Sequence, residues 1–105
     1  MAAFFEDYDL ILSPTLVQPP VRLGWLDTKS DDIGTYHDRF VQFWGFTNLY
    51  NATGQPAISL PLHWTHDDLP VGVQFAASYG NESLLLRIAN QMETAQPWFD
   101  KRPNL

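Results

Sequence analysis

Two apolar runs that lie close together constrain the fold of this chain more than any other feature. Residues 57–62 and residues 71–77 each have the length and apolar content of a buried strand. The eight residues that join them, 63–70, are too few for the crossover between parallel strands, which needs a dozen or more. The sequence therefore predicts an antiparallel hairpin. Pro61 has no N–H group, so it limits pairing on one side of the first strand.

Two further segments have the apolar spacing of helices. The first predicts a helix over residues 32–46, and Ser30, Asp31 and Asp32 supply its N-cap and acids for its first turn. The later part of this helix is apolar nearly all round, which predicts that it is buried or covered by a partner. The second helix runs to about residue 95, and its stripe consists of Leu84, Leu85, Ile88, Ala89 and Met92.

The fold class follows from the order of these elements. Residues 8–13 are a short apolar run that predicts a third strand, and Pro14 ends it. Residues 16–26 hold two prolines and a glycine, which indicates an irregular loop. We expect an α/β (α+β-like) unit: a mixed sheet of about three strands with an antiparallel hairpin, packed by two main helices. At 105 residues the chain is a single segment, 1–105.

Charge and composition argue against several classes of function. The net charge is −6 and only six residues are Lys or Arg, whereas nucleic-acid grooves and anionic membrane surfaces attract clustered basic residues. No apolar run approaches the ~18–20 residues of a membrane span, and the first twelve residues lack the basic start of an export signal. We therefore expect a cytoplasmic protein with no nucleic acid and no membrane as partners. Four Trp and seven Phe predict an apolar contact surface.

Serine chemistry has no complete set of candidate residues in this sequence. The serines Ser13, Ser30, Ser59, Ser78 and Ser83 all lie outside a G-x-S-x-G motif. Lys29 lies in a polar loop and Lys101 near the end of the chain. Ser59 stands between Ile58 and Leu60, so we interpret it as a hydrogen-bonded structural serine.

The histidines and paired acids also have simpler explanations than a reactive site. His63, His66, Asp67 and Asp68 share the link between the two hairpin strands, where polar residues are expected in a solvated turn. A metal site normally needs three or four ligands with supporting hydrogen bonds, so we expect no metal here. The absence of cysteine excludes disulfides and cysteine-based zinc sites.

Four stretches carry a resemblance to a known family. They are YDLILSPT (8–15), NATGQPAISLPL (51–62), LPVGVQFAASYGNESLL (69–85) and QPWFDKRP (96–103). Together they resemble the C-terminal part of the amidase signature family, whose members hydrolyse amide bonds. The family's lysine and two serines lie upstream in a Gly/Ser-rich segment. The resemblance implies a C-terminal portion of an amidase domain, with no catalytic residue of its own, no cofactor, and no activity alone. The closing motif is more like that of amidases acting on small amides and oligoamides.

The resemblance also implies which residues approach a substrate. In the family, the loop after T-P-T and the helix before N-x-x-G-x-P resemble walls of the substrate channel, and this chain has Ser13-Pro14-Thr15 at the first place. Carried over, Thr15, Leu16, Phe46 and Asn51 would lie near a small amide substrate in the complete enzyme. The alternative, from another class, is a non-catalytic assembly module. It would dimerise or complement a separate N-terminal chain through an apolar surface, so we expect self-association or the missing N-terminal part as partner.

Overall fold

The computed structural model describes residues 1–103, which form a three-stranded sheet and four helices. The strands are β1 (Leu10–Pro14), β2 (Ala57–Trp64) and β3 (Pro70–Ala77). The helices are α1 (Phe4–Asp7), α2 (Ile33–Trp44), α3 (Thr47–Thr53) and α4 (Glu82–Ala95). The predicted hairpin, third strand and two long helices are therefore all present. Within the described part of the chain, every helix is too short or too polar to reach across a bilayer.

The sheet has the order β1-β3-β2, and both pairs are antiparallel. The central strand β3 runs opposite to each neighbour, so β1 and β2 run in the same direction without touching as partners. The predicted α/β architecture of three strands with an antiparallel hairpin is confirmed. The expectation of a mixed sheet is refined to an antiparallel one, because β3 lies between the two strands that share a direction.

The hairpin is tighter than the sequence predicts. Its strands extend to Trp64 and from Pro70, which leaves the five residues 65–69 as the turn. Thr65 closes this turn twice, since its N–H donates to the Leu69 carbonyl at 2.9 Å and its hydroxyl accepts from the Leu69 N–H at 3.1 Å. Asp68 adopts a left-handed backbone with φ 57°, which aspartate tolerates better than most residues. The polar link is thus a turn, as predicted.

One apolar layer lies between α4 and the sheet. Its buried members are Leu60, Phe75, Ala77 and Leu85. Helix α4 packs against β2 and β3, and its stripe residues Ile88 and Met92 border the buried cluster. Because strand side chains alternate, only one face of each strand contributes to this layer. The opposite face of the sheet carries the polar residues described below.

Helix α2 ends earlier than the sequence predicts and a second helix follows it. Gly45 leaves the helical conformation with φ 9° and ψ −53°, so Thr47–Thr53 follow as the separate helix α3, with Phe46 as its N-cap. A Cβ on Gly45 would collide with the Val17 side chain, which explains the glycine at this break. Helix α2 packs on the loop before it: Arg39 Nη1 donates to the Trp25 carbonyl at 3.0 Å, and Phe43 lies 6.3 Å from the Trp25 ring.

Candidate functional site

A hydroxyl pair spans the sheet at the end of β1. Thr15 Oγ1 and Ser59 Oγ lie 2.6 Å apart and share a hydrogen bond. The Thr15 N–H also donates to the Gly72 carbonyl at 3.1 Å, which extends the pairing of β1 with β3 by one residue. Since Thr15 follows β1 and Ser59 lies on β2, their hydrogen bond crosses over the central strand. The position of Thr15 is therefore fixed by contacts with the central strand β3 and with the far strand β2.

Gly72 makes this crossing possible. A Cβ on Gly72 would lie 2.6 Å from Ser59 Oγ and 2.6 Å from Thr15 Oγ1, closer than real Cβ contacts. A side chain at this position would occupy the space that the two hydroxyls share. Glycine inside a strand commonly marks such a close approach. The sequence predicts a structural hydrogen bond for Ser59, but neither its partner Thr15 nor the role of Gly72 follows from the local pattern.

A row of polar side chains continues from this pair across the sheet face that points away from α4. Ser13, Gln74 and Ser59 are register neighbours on β1, β3 and β2. Gln74 is only 5% exposed. Ser13 Oγ and Gln74 Oε1 are both buried, and neither has a hydrogen-bond partner among residues 1–103. A buried polar atom without a partner costs about 1–3 kcal/mol, so this row has unused capacity for hydrogen bonding.

The loop after β1 lies against the junction of α2 and α3. The Val17 N–H donates to the Phe43 carbonyl at 3.2 Å, and the Val17 side chain fills the space beside Gly45. Phe46, the next residue, caps α3 and is 40% exposed. Leu16 lies between the two anchored residues Thr15 and Val17 and is half-buried. The structure therefore brings the loop with the first two predicted residues next to the helix junction that carries Phe46.

Asn51 lies apart from this contact, on the exposed side of α3. Its neighbour Tyr50 is the buried residue of that helix. The helix ends at Gly54, whose φ of 76° is left-handed and whose N–H donates to the Tyr50 carbonyl at 2.8 Å. Gly54 is thus the C-cap that ends α3. The structure thus brings Thr15 and Leu16 near the junction that carries Phe46, whereas Asn51 lies apart, and the approach of all four to a substrate stays a prediction.

Among residues 1–103, no hydrogen bond joins Thr15 or Ser59 to a base that could activate a nucleophile. The partner of Ser59 is Thr15, and Ser30 Oγ accepts from the Asp32 N–H at 3.2 Å. Lys29 and Lys101 are both exposed. A nucleophilic serine needs a base within hydrogen-bond reach and donors for the oxyanion. What the arrangement does is hold the Thr15 turn at a defined place on the sheet.

The hairpin turn carries charged side chains but no close cluster of ligands. His66 Nε2 lies 3.0 Å from Asp67 Oδ1, and both side chains are largely exposed. Within residues 1–103, no group of three or more His, Cys, Asp or Glu side chains is placed to hold a metal ion. A shallow cavity of about 390 Å³ lies beside the turn and is lined by Trp64, Asp68, Asp100, Lys101 and Arg102.

The start of α2 has one carboxyl group with a shifted acidity. The Thr35 hydroxyl donates to Asp32 Oδ2 at 2.6 Å, and the Thr35 N–H donates to Asp32 Oδ1 at 3.0 Å. These hydrogen bonds, the hydroxyl's first, lower the pKa of Asp32 below its usual value of 3.8. Asp32 is thus the N-cap, as the sequence predicts, and it takes a structural role at the helix end.

Comparison with known proteins matches this chain to one family and to individual proteins described as amidases or hydrolases. The profile of the family described as Amidase matches residues 1–86. A putative amidase, AmiC, of Mycobacterium leprae (strain TN) is 43% identical over 97 residues, which is 92% of this chain and 20% of that protein. The 6-aminohexanoate-cyclic-dimer hydrolase of Paenarthrobacter ureafaciens is 41% identical over 103 residues, or 93% of this chain and 21% of that protein.

A solved structure agrees with the sequence matches. The structure of a 6-aminohexanoate cyclic dimer hydrolase superposes with a TM-score of 0.84 at 38% identity. The superposition covers 98% of this chain and 22% of that one. The chain therefore spans about a fifth of the length of the relatives it matches.

Proposed function

Because the chain belongs to the amidase family, we propose that it is the C-terminal segment of an enzyme that hydrolyses carbon–nitrogen amide bonds. In this proposal it contributes sheet strands and one wall of the substrate channel. A small amide is the substrate of the complete enzyme, which works in the cytoplasm. The catalytic lysine and two serines come from the upstream part of the enzyme, and the chain alone is inactive.

The observation that carries this proposal is the anchoring of Thr15. Its hydrogen bond to Ser59 and its backbone bond to Gly72 fix the turn after β1 from two directions. Substrate-positioning groups need this kind of support, because a displacement of about 1 Å can cost roughly a hundredfold in rate. A rigid turn beside the exposed Phe46 ring suits a wall that orients a substrate. Proton transfer is left to residues outside this segment.

The surroundings of the serines support the proposal that this segment shapes the channel and the upstream part supplies the catalytic residues. The Ser59 hydroxyl holds Thr15 through their shared hydrogen bond. If Ser59 acted as a nucleophile, the turn would lose that hydrogen bond. The Ser13 Oγ atom is buried and has no hydrogen-bond partner among residues 1–103. No hydrogen bond joins either serine to Lys29 or Lys101 among residues 1–103, and both lysines are exposed on other segments. The segment is suited to shape the channel while the upstream part carries out acyl transfer.

The alternative function is assembly without catalysis, and one observation favours it. Apolar side chains along α2 and α3 are exposed, with Ile33 at 76%, Leu49 at 45% and Val41 at 45%. A surface of this kind marks a contact with another protein or domain. It would serve a second copy of this chain, giving a dimer, or a separately made N-terminal amidase chain.

A segment exchange separates the two functions. The matching fifth of the Paenarthrobacter ureafaciens hydrolase is replaced by this chain, and hydrolysis of 6-aminohexanoate cyclic dimer is measured. We expect an active hybrid in which Phe46→Ala raises KM with a smaller change in kcat, because a channel wall binds substrate without taking part in proton transfer. Leu86→Ala, at an exposed position of α4, is the matched control and should leave both constants unchanged.

Two results would contradict the proposal. A folded hybrid without turnover would favour the assembly function. Hydrolysis of a small aryl amide by the separate chain, if it survives repurification and is lost in Ser59→Ala, would place the nucleophile in this segment. Light scattering on the same sample reports whether the chain forms a dimer.

A further inference from the structure

The apolar layer under α4 is displaced toward one edge of the sheet. Leu12 on β1 and Phe75 on β3 are register partners on the same face, yet Leu12 is 64% exposed and Phe75 only 8%. The reason is that α4 packs on β2 and β3, while β1 extends beyond the helix. Leu10 at the start of β1 still borders the buried cluster, but the same face is open at Leu12. A complete layer therefore needs additional apolar side chains over Leu12.

The outer edge of the β1 backbone, which faces away from β3, also has no strand partner among residues 1–103. The Thr15 N–H points to β3, so by the alternation of an antiparallel strand those of Ser13 and Ile11 do too. The N–H and C=O groups of Leu10 and Leu12 then point outward, away from the sheet. Pro14 takes an outward position as well, where its missing N–H removes no bond to β3. An edge of this kind is a template for an added strand.

The other edge of the sheet is less suited to pairing. Pro61 stands inside β2. The Pro56 carbonyl faces β3, so by the alternation of backbone groups along β2, position 61 faces away from β3. The missing N–H of Pro61 therefore lies on the outer edge. The register shifts immediately afterwards, between Leu60 and His63. Prolines and irregularities of this kind protect edge strands from further partners. Pro14 is the last residue of β1, whereas Pro61 and the register shift interrupt β2 in its interior, so β1 is the edge along which an added strand can pair without interruption.

The opposite face of β1 supports the same assignment. Ser13 Oγ is buried and unpaired beside the register neighbour Gln74, whose Oε1 is unpaired too. Polar atoms buried in a folded protein are normally satisfied. A chain that pairs with β1 lies beside Ser13 and can supply a donor to this row. Thus one strand presents an open backbone edge, an uncovered apolar side chain and an unsatisfied hydroxyl.

We propose that the β1 edge is the surface through which this segment joins the rest of an amidase. The partner adds an extended strand along residues 10–13 and places apolar side chains over Leu12. The inference rests on the proposed function, since it takes the upstream amidase portion as occupant. The lengths support that choice: the chain spans about a fifth of its relatives, so most of such an enzyme lies outside it and has to meet this segment.

The test produces this chain and the remaining four-fifths of the Paenarthrobacter ureafaciens hydrolase as two chains in one cell. Complex formation is measured by copurification, light scattering and titration of the separated chains. The variant is Leu12→Lys, and Leu86→Lys is its control, because Leu86 on α4 is equally exposed at 65%. We expect a one-to-one complex that Leu12→Lys weakens at least ~10-fold, since it leaves a charge in an apolar contact. Leu86→Lys should stay within about twofold.

Amide hydrogen exchange distinguishes strand addition from side-chain contact alone. In the complex, exchange at Leu10 and Leu12 should slow by more than tenfold, as expected for amides that gain a strand partner. Ile11 and Ser13, which already donate to β3, are internal controls and should change less.

The inference is overturned by any of three results. They are equal weakening by both lysine variants, unchanged exchange at Leu10 and Leu12, and the absence of a complex. A homodimer lost in Leu12→Lys would also overturn it, because the occupant would then be a second copy. An active segment-exchange hybrid together with any of these outcomes would leave the proposed function standing and reject the β1 edge alone.

Discussion

Gly72→Ala tests whether the hydroxyl crossing over β3 organises the sheet. The backbone of Gly72 is outside the left-handed region in which this chain's Gly24, Gly54 and Gly80 lie, so alanine meets no backbone strain there. The added methyl group, however, would come within 2.6 Å of Ser59 Oγ and 2.6 Å of Thr15 Oγ1. Either the hydroxyls separate and lose their hydrogen bond, or β3 moves away from its neighbours.

The change in the free energy of unfolding is the sum of two destabilising effects and one stabilising effect. Overfilling a packed site costs about 1–3 kcal/mol, and loss of the Thr15–Ser59 hydrogen bond about 0.5–1.5 kcal/mol. Replacing glycine restricts the unfolded chain and returns about 0.4–1 kcal/mol. We therefore expect Gly72→Ala to lower the free energy of unfolding by about 2 kcal/mol.

Urea unfolding followed by tryptophan fluorescence measures this change. With a slope of about 1–3 kcal/mol per molar urea, the midpoint should fall by about 1 M. Gly34→Ala is the matched control, because a Cβ at Gly34 meets only an ordinary 3.5 Å contact with Asp32 inside helix α2. That variant should gain up to about 1 kcal/mol, since alanine is the better helix former. The two glycine substitutions thus have opposite expected signs.

A double-mutant cycle identifies the cause. In a Ser59→Ala background the space occupied by Oγ is free, so the cost of Gly72→Ala should fall by about 1 kcal/mol. Additive losses, or a Gly72→Ala variant as stable as the parent, would refute the steric argument and leave the crossing without structural importance.

Two further predictions concern the helices. Leu85→Ala removes a side chain that is 4% exposed in the layer under α4. The free energy of unfolding should therefore fall by about 2–5 kcal/mol in the same urea assay. Leu86→Ala is the control, because Leu86 lies on the same helix but is 65% exposed, and it should change the free energy of unfolding by less than about 0.5 kcal/mol. Asp32→Ala removes the N-cap of α2 and should reduce helicity by circular dichroism at pH 7. Because the pKa of folded Asp32 is below 3.8, its contribution is complete above that pH and is lost as the pH falls through the lowered pKa. An Asp32→Ala variant with the helicity of the parent at pH 7, or a difference that persists unchanged when the pH falls below the lowered pKa, would contradict this role.

The hairpin shows how far local sequence determines structure. Two apolar runs and a short polar link were sufficient to predict β2, β3 and their antiparallel pairing, because each signal lies within neighbouring residues. The ends of the strands were predicted less well, since the irregularity between Leu60 and His63 extends β2 beyond Pro61. The break after Trp44 had a local signal in Gly45. Glycine is required at position 45 because the side chain of the distant Val17 fills the space that a Cβ would occupy.

The candidate site depended on contacts that no local pattern contains. Thr15 and Ser59 meet because β1 and β2 flank β3 in a particular register, and register between distant strands is set by the whole fold. The resemblance to a family selected Thr15, Leu16, Phe46 and Asn51, and their approach to a substrate stays a prediction. A glycine inside an otherwise apolar strand was the available signal for the crossing at Gly72.

The strand order has a consequence for how the molecule assembles and opens. The hairpin of β2 and β3, with α4 directly after it, is built from contacts between neighbouring stretches of chain. Strand β1 instead joins β3 from the far end of the sequence, so a long loop must close before that pairing gives any stabilisation. The hairpin and α4 should form first and exchange their amides last. Strand β1 should dock late and detach first, as a separately opening unit of the native state.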